Sequence, residues 1–109
     1  DRIVGHAAFS PVTIGDGTAG WFGLGPVAVE PDEQGKGIGA ALIEEGLARL
    51  RRQGAAGCVV LGDAAYYARF GFRCEPSLRY LDASAHYFQA LSFTNAIPSG
   101  EIAFHTAFG

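Results

Sequence analysis

The sequence predicts an α+β fold in which one long helix and one short helix accompany a mostly antiparallel sheet with one parallel strand pair. Apolar residues follow a strand-like pattern up to residue 29, recur with helical spacing over the next two dozen positions, and then return to short strand-like runs. The 109 residues correspond to a single domain, which we assign to residues 1–109.

Composition excludes several classes of protein. With 49% hydrophobic and 17% charged residues, the chain is too apolar to be disordered. Eight basic residues against eleven acidic ones do not form the basic face that nucleic-acid binding requires. No apolar run reaches the roughly 18 residues of a membrane span, and the first residues lack a signal-peptide pattern. We therefore expect a cytoplasmic protein that binds neither nucleic acid nor membrane.

Two strands are predicted before residue 30. The first, Arg2–Ile14, is rich in β-branched and aromatic residues and is followed by a Gly-Asp-Gly turn. The second, Trp21–Val29, should pair with it as an antiparallel hairpin because the connecting loop is short and glycine-rich. Pro11 has no backbone N–H, which favours a bulge or a sheet edge at that position.

Residues from Gly37 to about Gln53 are predicted to form an amphipathic helix. Its apolar side consists of Ile38, Leu42, Ile43, Leu47 and Leu50. The next apolar run, Cys58–Leu61, is uninterrupted, which is typical of a strand covered on both faces. Strand, helix and strand form a βαβ unit, so this strand should lie parallel to Trp21–Val29.

The rest of the chain predicts one short helix and two strands. Asp63 is placed to cap a helix over Ala64–Phe70. Tyr87–Phe93 and Glu101–His105 are predicted as strands on either side of a turn at residues 98–100.

Cys58, Cys74 and three scattered histidines do not have the spacing of a metal site, so we predict no metal. Both cysteines are expected to be buried, reduced thiols.

The segment from Val27 to Ala40 has the features of an anion site. A buried strand is stopped by Pro31, glycines occupy positions 35, 37 and 39, and a helix begins. Backbone N–H groups without side chains can converge on an anion, and the helix N-terminus adds its positive dipole end. Phosphate or pyrophosphate is therefore the expected ligand.

Two nucleotide-binding patterns fit this segment poorly. A dinucleotide fingerprint would use Gly35, Gly37 and Ala40, but five residues separate the strand from the first glycine. A Walker loop needs Ser or Thr after its Gly-Lys pair, whereas Gly37 follows Lys36.

A third pattern fits better. Val29-x-Pro31 and Gln34-x-x-Gly37-x-Gly39 precede an amphipathic helix, and Tyr67-x-x-x-Gly71-Phe72 follows at the right separation. The two signatures together resemble the GNAT superfamily of acyl-CoA N-acyltransferases. The phrase LGDAAYYARFGF is most similar to a branch of small bacterial N-acetyltransferases.

The resemblance implies a GNAT-like fold with a splayed parallel strand pair, and an enzyme that moves an acetyl group from acetyl-CoA to a primary amine. The amine would belong to a small molecule or a peptide. Tyr67 would be the general acid for the thiolate. The residues that would bind acetyl-CoA are Val27, Ala28, Val29, Gln34, Gly35, Lys36, Gly37, Ile38, Gly39 and Ala40.

The chain departs from the family pattern because the usual N-terminal strand, two helices and second strand are absent. A non-catalytic acyl-CoA-binding module or fragment is therefore the alternative function. Tyr67 could also be a core aromatic residue, with Tyr66 as the second candidate acid. Without a preceding strand, the edge of Arg2–Ile14 should be exposed, so we predict a homo-oligomer.

Overall fold

The computed structural model describes residues 5–29, 37–80 and 88–104. These residues form seven strands, two α-helices and one 3-10 turn. The strands are β1 Gly5–Ile14, β2 Trp21–Val29, β3 Gly57–Leu61, β4 Arg73–Cys74, β5 Leu78–Arg79, β6 Phe88–Ser92 and β7 Gly100–Phe104. The helices are α1 Ile38–Arg52 and α2 Ala64–Tyr67, and the 3-10 turn Ala68–Phe70 continues α2.

The strands form one mixed sheet in the order β4-β6-β3-β2-β1-β7-β5. β1 and β2 are antiparallel, and β2 and β3 are parallel, so the predicted hairpin and βαβ unit are confirmed. The α+β fold class is also confirmed, with α1 and α2 as the predicted long and short helices.

The last two long strands, β6 and β7, lie on opposite sides of the sheet. They are not neighbours in the sheet: β6 pairs with β3, and β7 pairs with β1. The hairpin of β1 and β2 and the strand β3 leave one open edge on each side, and each final strand supplies backbone partners to one of those edges. β7 also pairs in parallel with β5, which adds a second parallel pair to the one predicted.

Each face of the sheet has its own core. The core beneath α1 and α2 consists of Leu24, Ile43, Leu47, Leu50, Cys58, Val60 and Phe72. The core on the opposite face consists of Val12, Ile14, Trp21, Val59, Leu78, Phe88, Ala90 and Ile102. The three buried residues of α1 all belong to its predicted apolar side, while Ile38 and Leu42 are half-buried.

The edge of β1 is partly covered. β7 pairs with Val12–Ile14, and the N–H of Gly15 donates to the Glu101 carbonyl at 2.9 Å. The prediction that this whole edge is open is therefore wrong for its last residues, because the chain supplies a strand of its own there. Along Gly5–Pro11, no strand of the described residues pairs on the side away from β2. Neither described helix is long and apolar enough to span a membrane.

Candidate functional site

The parallel pair of β2 and β3 separates partway along the sheet. The two strands pair from Trp21 opposite Gly57 to Leu24 opposite Val60. β2 then continues to Val29, whereas β3 ends at Leu61. Over residues 25–29, the β3 side of β2 has no strand partner within the described part of the chain, so its backbone polar groups are free to bind something else.

A bulge in β2 causes this separation. Ala7 lies opposite Val27 and Phe9 opposite Leu24, so the single residue Ala8 faces the pair Gly25-Pro26. Gly25 has a φ of 145°, which disfavours any residue with a side chain. An extra residue bends a strand and increases its twist, which carries β2 away from β3. The irregularity therefore lies at Gly25-Pro26, whereas Pro11 pairs in register with Phe22.

The N-terminus of α1 lies at the same end of the sheet, because a βαβ helix starts where its first strand ends. Gly37 is the N-cap with a φ of 78°, and no side chain caps the helix there. The N–H of Ala41 donates to the Gly37 carbonyl at 3.0 Å. The earlier first-turn N–H groups, of Ile38, Gly39 and Ala40, have no acceptor four residues back within the helix.

The predicted acetyl-CoA residues thus fall into two described groups. Val27, Ala28 and Val29 belong to the separated part of β2, and Gly37, Ile38, Gly39 and Ala40 form the start of α1. Gln34, Gly35 and Lys36 lie outside the described residues. A Cβ added at Gly37 would meet nothing within 4 Å, so the space above it is open.

Tyr67 also lies just beyond this end of the sheet. β3 ends at Leu61, and Asp63 begins α2 by accepting a hydrogen bond from the Ala65 N–H at 3.0 Å. The Tyr67 N–H donates to the Asp63 carbonyl at 3.0 Å. Gly71, with a φ of 99°, ends the 3-10 turn, so the predicted helix over residues 64–70 is confirmed as α2 and its continuation.

The Tyr67 ring lies within an aromatic group. Its centroid is 5.0 Å from that of Tyr66, 5.8 Å from Phe72 and 6.3 Å from Phe70. Burial raises the pKa of the Tyr67 phenol above its ordinary value of 10.0, and the nearby Tyr66 raises it further. The phenol therefore stays protonated at neutral pH and keeps a proton to donate.

Three further residues lie beside this site. Leu61 is 41% exposed at the end of β3, although its apolar run predicted burial on both faces. Gly62 follows it and packs against the Tyr67 ring. Gln89 of β6 donates from Nε2 to the Gly62 carbonyl at 2.9 Å. Only the unusual placement of a glutamine in an apolar strand could have pointed to Gln89.

The cysteines take no part in this site. Cys58 is fully buried, and burial raises the pKa of its thiol far above the ordinary value. Cys74 is exposed on β4, so the expectation that it is buried is wrong. β4 is a two-residue strand at the edge of the sheet, which leaves its side chains in solvent. Within the described ranges, no three His, Cys, Asp or Glu side chains lie close enough to hold a metal ion.

The chain belongs to the GNAT family of acetyltransferases, because the family model of the acetyltransferase (GNAT) domain matches residues 1–74. The uncharacterized N-acetyltransferase YhbS of Escherichia coli K12 is 42% identical over 71 residues. That match covers 65% of this chain and 42% of YhbS, so the matched segment spans less than half of this curated relative.

Solved structures show the same fold. A GNAT family acetyltransferase from Brucella melitensis, in complex with acetyl-CoA, has a TM-score of 0.83 and 52% identity, and the match covers 99% of this chain and 62% of that one. The structure of E. coli YhbS in complex with CoA has a TM-score of 0.85 and 34% identity, and the match covers 95% and 61%. The GNAT-like fold predicted from the two signatures is confirmed.

Proposed function

We propose that this chain binds acetyl-CoA and takes part in transferring its acetyl group to a primary amine. The observation that carries the proposal is the separation of β2 from β3 at Gly25-Pro26, with the open N-terminus of α1 at the same end of the sheet. The similar proteins from B. melitensis and E. coli, in complex with acetyl-CoA and CoA, support it.

The arrangement suits the two chemical parts of acetyl-CoA. On the side away from β1, the backbone of Val27, Ala28 and Val29 can bind the amide groups of the pantetheine arm as an additional strand would. The pyrophosphate would be held by N–H groups of Gly37, Ile38, Gly39 and Ala40 together with Gln34, Gly35 and Lys36. The positive φ of Gly37 keeps a side chain out of this position.

Bound acetyl-CoA supplies a thioester whose C–S bond is replaced by a C–N bond to the amine. A backbone N–H near Val29 donates a hydrogen bond to the carbonyl oxygen, where negative charge develops. The Tyr67 Oη donates its proton to the leaving sulfur. The tyrosine then regains a proton from the amine nitrogen through water, so that its charge is unchanged over the cycle.

A second candidate function is a non-catalytic acyl-CoA-binding module. The observation that favours it is the contact of the Tyr67 ring with Tyr66, Phe70 and Phe72, because a tyrosine that serves only packing would be placed in the same way. Turnover is what separates the two candidates. For the enzyme, the acceptor is a primary amine on a small molecule or a peptide.

Ligand binding is tested by thermal unfolding with acetyl-CoA, NAD and ATP. Acetyl-CoA at about 100 times its dissociation constant should stabilise the protein by ~2.7 kcal/mol, and NAD and ATP by less. Gly37→Val should abolish this effect. Gly17→Val is the matched control, because Gly17 also has a positive φ and open space around it but lies in the β1–β2 turn. Equal stabilisation by NAD would indicate a dinucleotide site instead.

Catalysis is tested with Tyr67→Phe on a panel of polyamines, amino acids and peptides. We expect kcat to fall by ~10²–10⁴-fold with acetyl-CoA affinity unchanged, while Tyr66→Phe has a mild effect. Because the acid form of Tyr67 is required, wild-type activity should be lost as pH rises through its raised pKa. Acetyl-CoA binding without turnover of any amine would favour the binding module.

We also propose that the protein is a cytoplasmic homo-oligomer. Among the described residues, no strand pairs with β1 along Gly5–Pro11 on the side away from β2, and another copy could extend the sheet there. Light scattering at tens of micromolar tests the assembly, and a monodisperse monomer contradicts it. Fractionation of cells tests the location.

A further inference from the structure

We propose that Gln89 is a positioning residue for Tyr67 and acts through the carbonyl of Gly62. The inference rests on the proposed role of Tyr67 as proton donor. Gln89 lies on β6, which is separated in sequence from the site by the whole segment after α2. The structure nevertheless places its amide against the turn between β3 and α2, the helix that carries Tyr67.

The Gln89 side chain is held firmly in place. It is 1% exposed, and its backbone pairs with Val60 of β3 on one side and with Cys74 of β4 on the other. Its neighbours Phe88 and Ala90 point into the core of the opposite face, so the Gln89 side chain lies on the face that carries α2. A buried amide is costly unless it is hydrogen-bonded, so the 2.9 Å bond to the Gly62 carbonyl is strongly favoured.

Gly62 transmits this constraint to Tyr67. A Cβ built on Gly62 would overlap Cε2 of the Tyr67 ring and lie 3.1 Å from Cδ2 and 3.4 Å from Cζ. The ring therefore rests directly on the Gly62 backbone. Any movement of Gly62 changes how deeply the ring lies and where its Oη points.

The hydrogen bond thus fixes a chain of contacts from β6 to the phenol. If the Nε2 donor is removed, the Gly62 carbonyl loses a fixed partner and the turn before Asp63 can relax. The Tyr67 ring would then shift toward solvent. A misplacement of about 1 Å can lower a catalytic rate about 10²-fold. The proposed ligand-binding residues, on β2 and at the start of α1, are not part of this chain of contacts, so acetyl-CoA affinity should change little.

The test compares Gln89→Met, which has similar length but no donor, with Gln89→Glu. A carboxyl group buried at this position should be neutral and can donate to the same carbonyl. Gln53→Met is the matched control, because Gln53 is exposed at the end of α1. Far-UV circular dichroism checks that each variant is folded.

The first measurement is the ionisation of Tyr67, obtained as the difference in absorbance at alkaline pH between each protein and its Tyr67→Phe counterpart. Gln89→Met should lower the midpoint toward the ordinary tyrosine value, because the ring is less buried. Gln53→Met should leave it unchanged, and Gln89→Glu is compared only in the turnover measurement, because its carboxyl would ionise at alkaline pH. An unchanged midpoint in Gln89→Met overturns the proposal, and this result does not depend on catalysis.

The second measurement is turnover. Gln89→Met should lower kcat by ~10–100-fold with little change in acetyl-CoA affinity, and Gln89→Glu should restore it. The double variant Gln89→Met/Tyr67→Phe should be no slower than Tyr67→Phe alone. Additive losses overturn the proposal, as does full turnover in a variant whose midpoint has shifted. Full activity of Tyr67→Phe would instead contradict the proposed role of Tyr67.

Discussion

Gly57→Ala should destabilise the protein through a single side chain, Trp21. Gly57 begins β3, directly opposite Trp21 of β2, at the paired end of the two strands. An added Cβ would lie 2.5 Å from Cη2 of the indole and 2.6 Å from both Cζ2 and Cζ3. Carbon atoms in contact are separated by about 3.5–4.0 Å, so the ring would have to move by about 1 Å.

The indole has little room for that movement, since Trp21 is 2% exposed within the core. Overpacking of this kind costs ~1–3 kcal/mol. Replacing glycine with alanine returns about 0.4–1 kcal/mol by restricting the unfolded chain. The mid-values of these two ranges give a net loss of about 1.3 kcal/mol, which lowers the melting temperature by roughly 5–10 °C in a domain of this size.

Gly46→Ala is the comparison that tests the reasoning. There an added Cβ also meets an aromatic ring and would overlap Cε1 of Phe9, with Cζ at 2.5 Å and Cδ1 at 2.9 Å. Phe9 is half-buried and lines a groove of about 400 Å³ beside α1, so its ring can turn aside. Alanine favours the helix by ~1 kcal/mol over glycine, and this gain offsets the cost of moving the Phe9 ring. The net change in the free energy of unfolding should therefore be close to zero.

Trp21 is the one tryptophan of the chain, so its emission reports both unfolding and any shift of the ring. Urea unfolding followed by fluorescence and by circular dichroism gives the free energy of unfolding of each variant. The reasoning is contradicted if Gly57→Ala is as stable as the wild type, or if Gly46→Ala loses more stability than Gly57→Ala. In either case, the burial of the neighbouring aromatic ring does not determine how much stability the added Cβ removes.

Two further predictions concern ionisable groups. A thiol reagent should modify Cys74 but not Cys58 in the native protein, because Cys58 is buried and its thiol has a raised pKa. In urea the reagent should modify both cysteines. Mass spectrometry of the labelled peptides checks this, and fast labelling of Cys58 in the native protein would contradict it. Asp16 accepts hydrogen bonds from the N–H groups of Ser99 and Thr18, and these bonds lower the pKa of its carboxyl group. The ionised carboxylate therefore stabilises the folded protein above its unfolded pKa near 3.8, and this stabilisation is lost as pH falls through the lower folded pKa. The urea midpoints of wild type and Asp16→Asn should therefore differ at pH 7 and converge in acid, and a constant difference would contradict this assignment.

Periodicity was enough to predict the elements with long, regular patterns. The apolar side of α1, the β-branched and aromatic residues of β1 and β2 and the cap at Asp63 are local signals, and within the described residues these elements lie close to their predicted bounds. β4 and β5 have two residues each, which is too short for any alternation. The partners of β6 and β7 depend on which edges the rest of the sheet leaves open, and a local pattern does not contain that information.

The candidate site also has parts that short motifs predict and parts that depend on how the strands pair. The start of α1 and the place of Tyr67 followed from short motifs along the chain. The Gly25-Pro26 bulge required knowing that Ala7 lies opposite Val27 and Phe9 opposite Leu24. Gln89 reaches Gly62 across 27 residues of sequence, so this hydrogen bond can be seen only when β3 and β6 are placed side by side.

The separation of β2 from β3 also bears on which molecules can enter the sheet. Exposed strand backbone normally invites other chains to pair and aggregate, and proteins counter this with short, bent edges and prolines. In the described part of β2, the stretch without a partner on the β3 side spans residues 25–29, begins at a bulge and contains Pro26, which has no N–H to donate. A long peptide strand would find little regular backbone to pair with, whereas a thin molecule with two amide groups needs only a few contacts. The bend that separates β2 from β3 therefore also disfavours pairing with a long peptide strand.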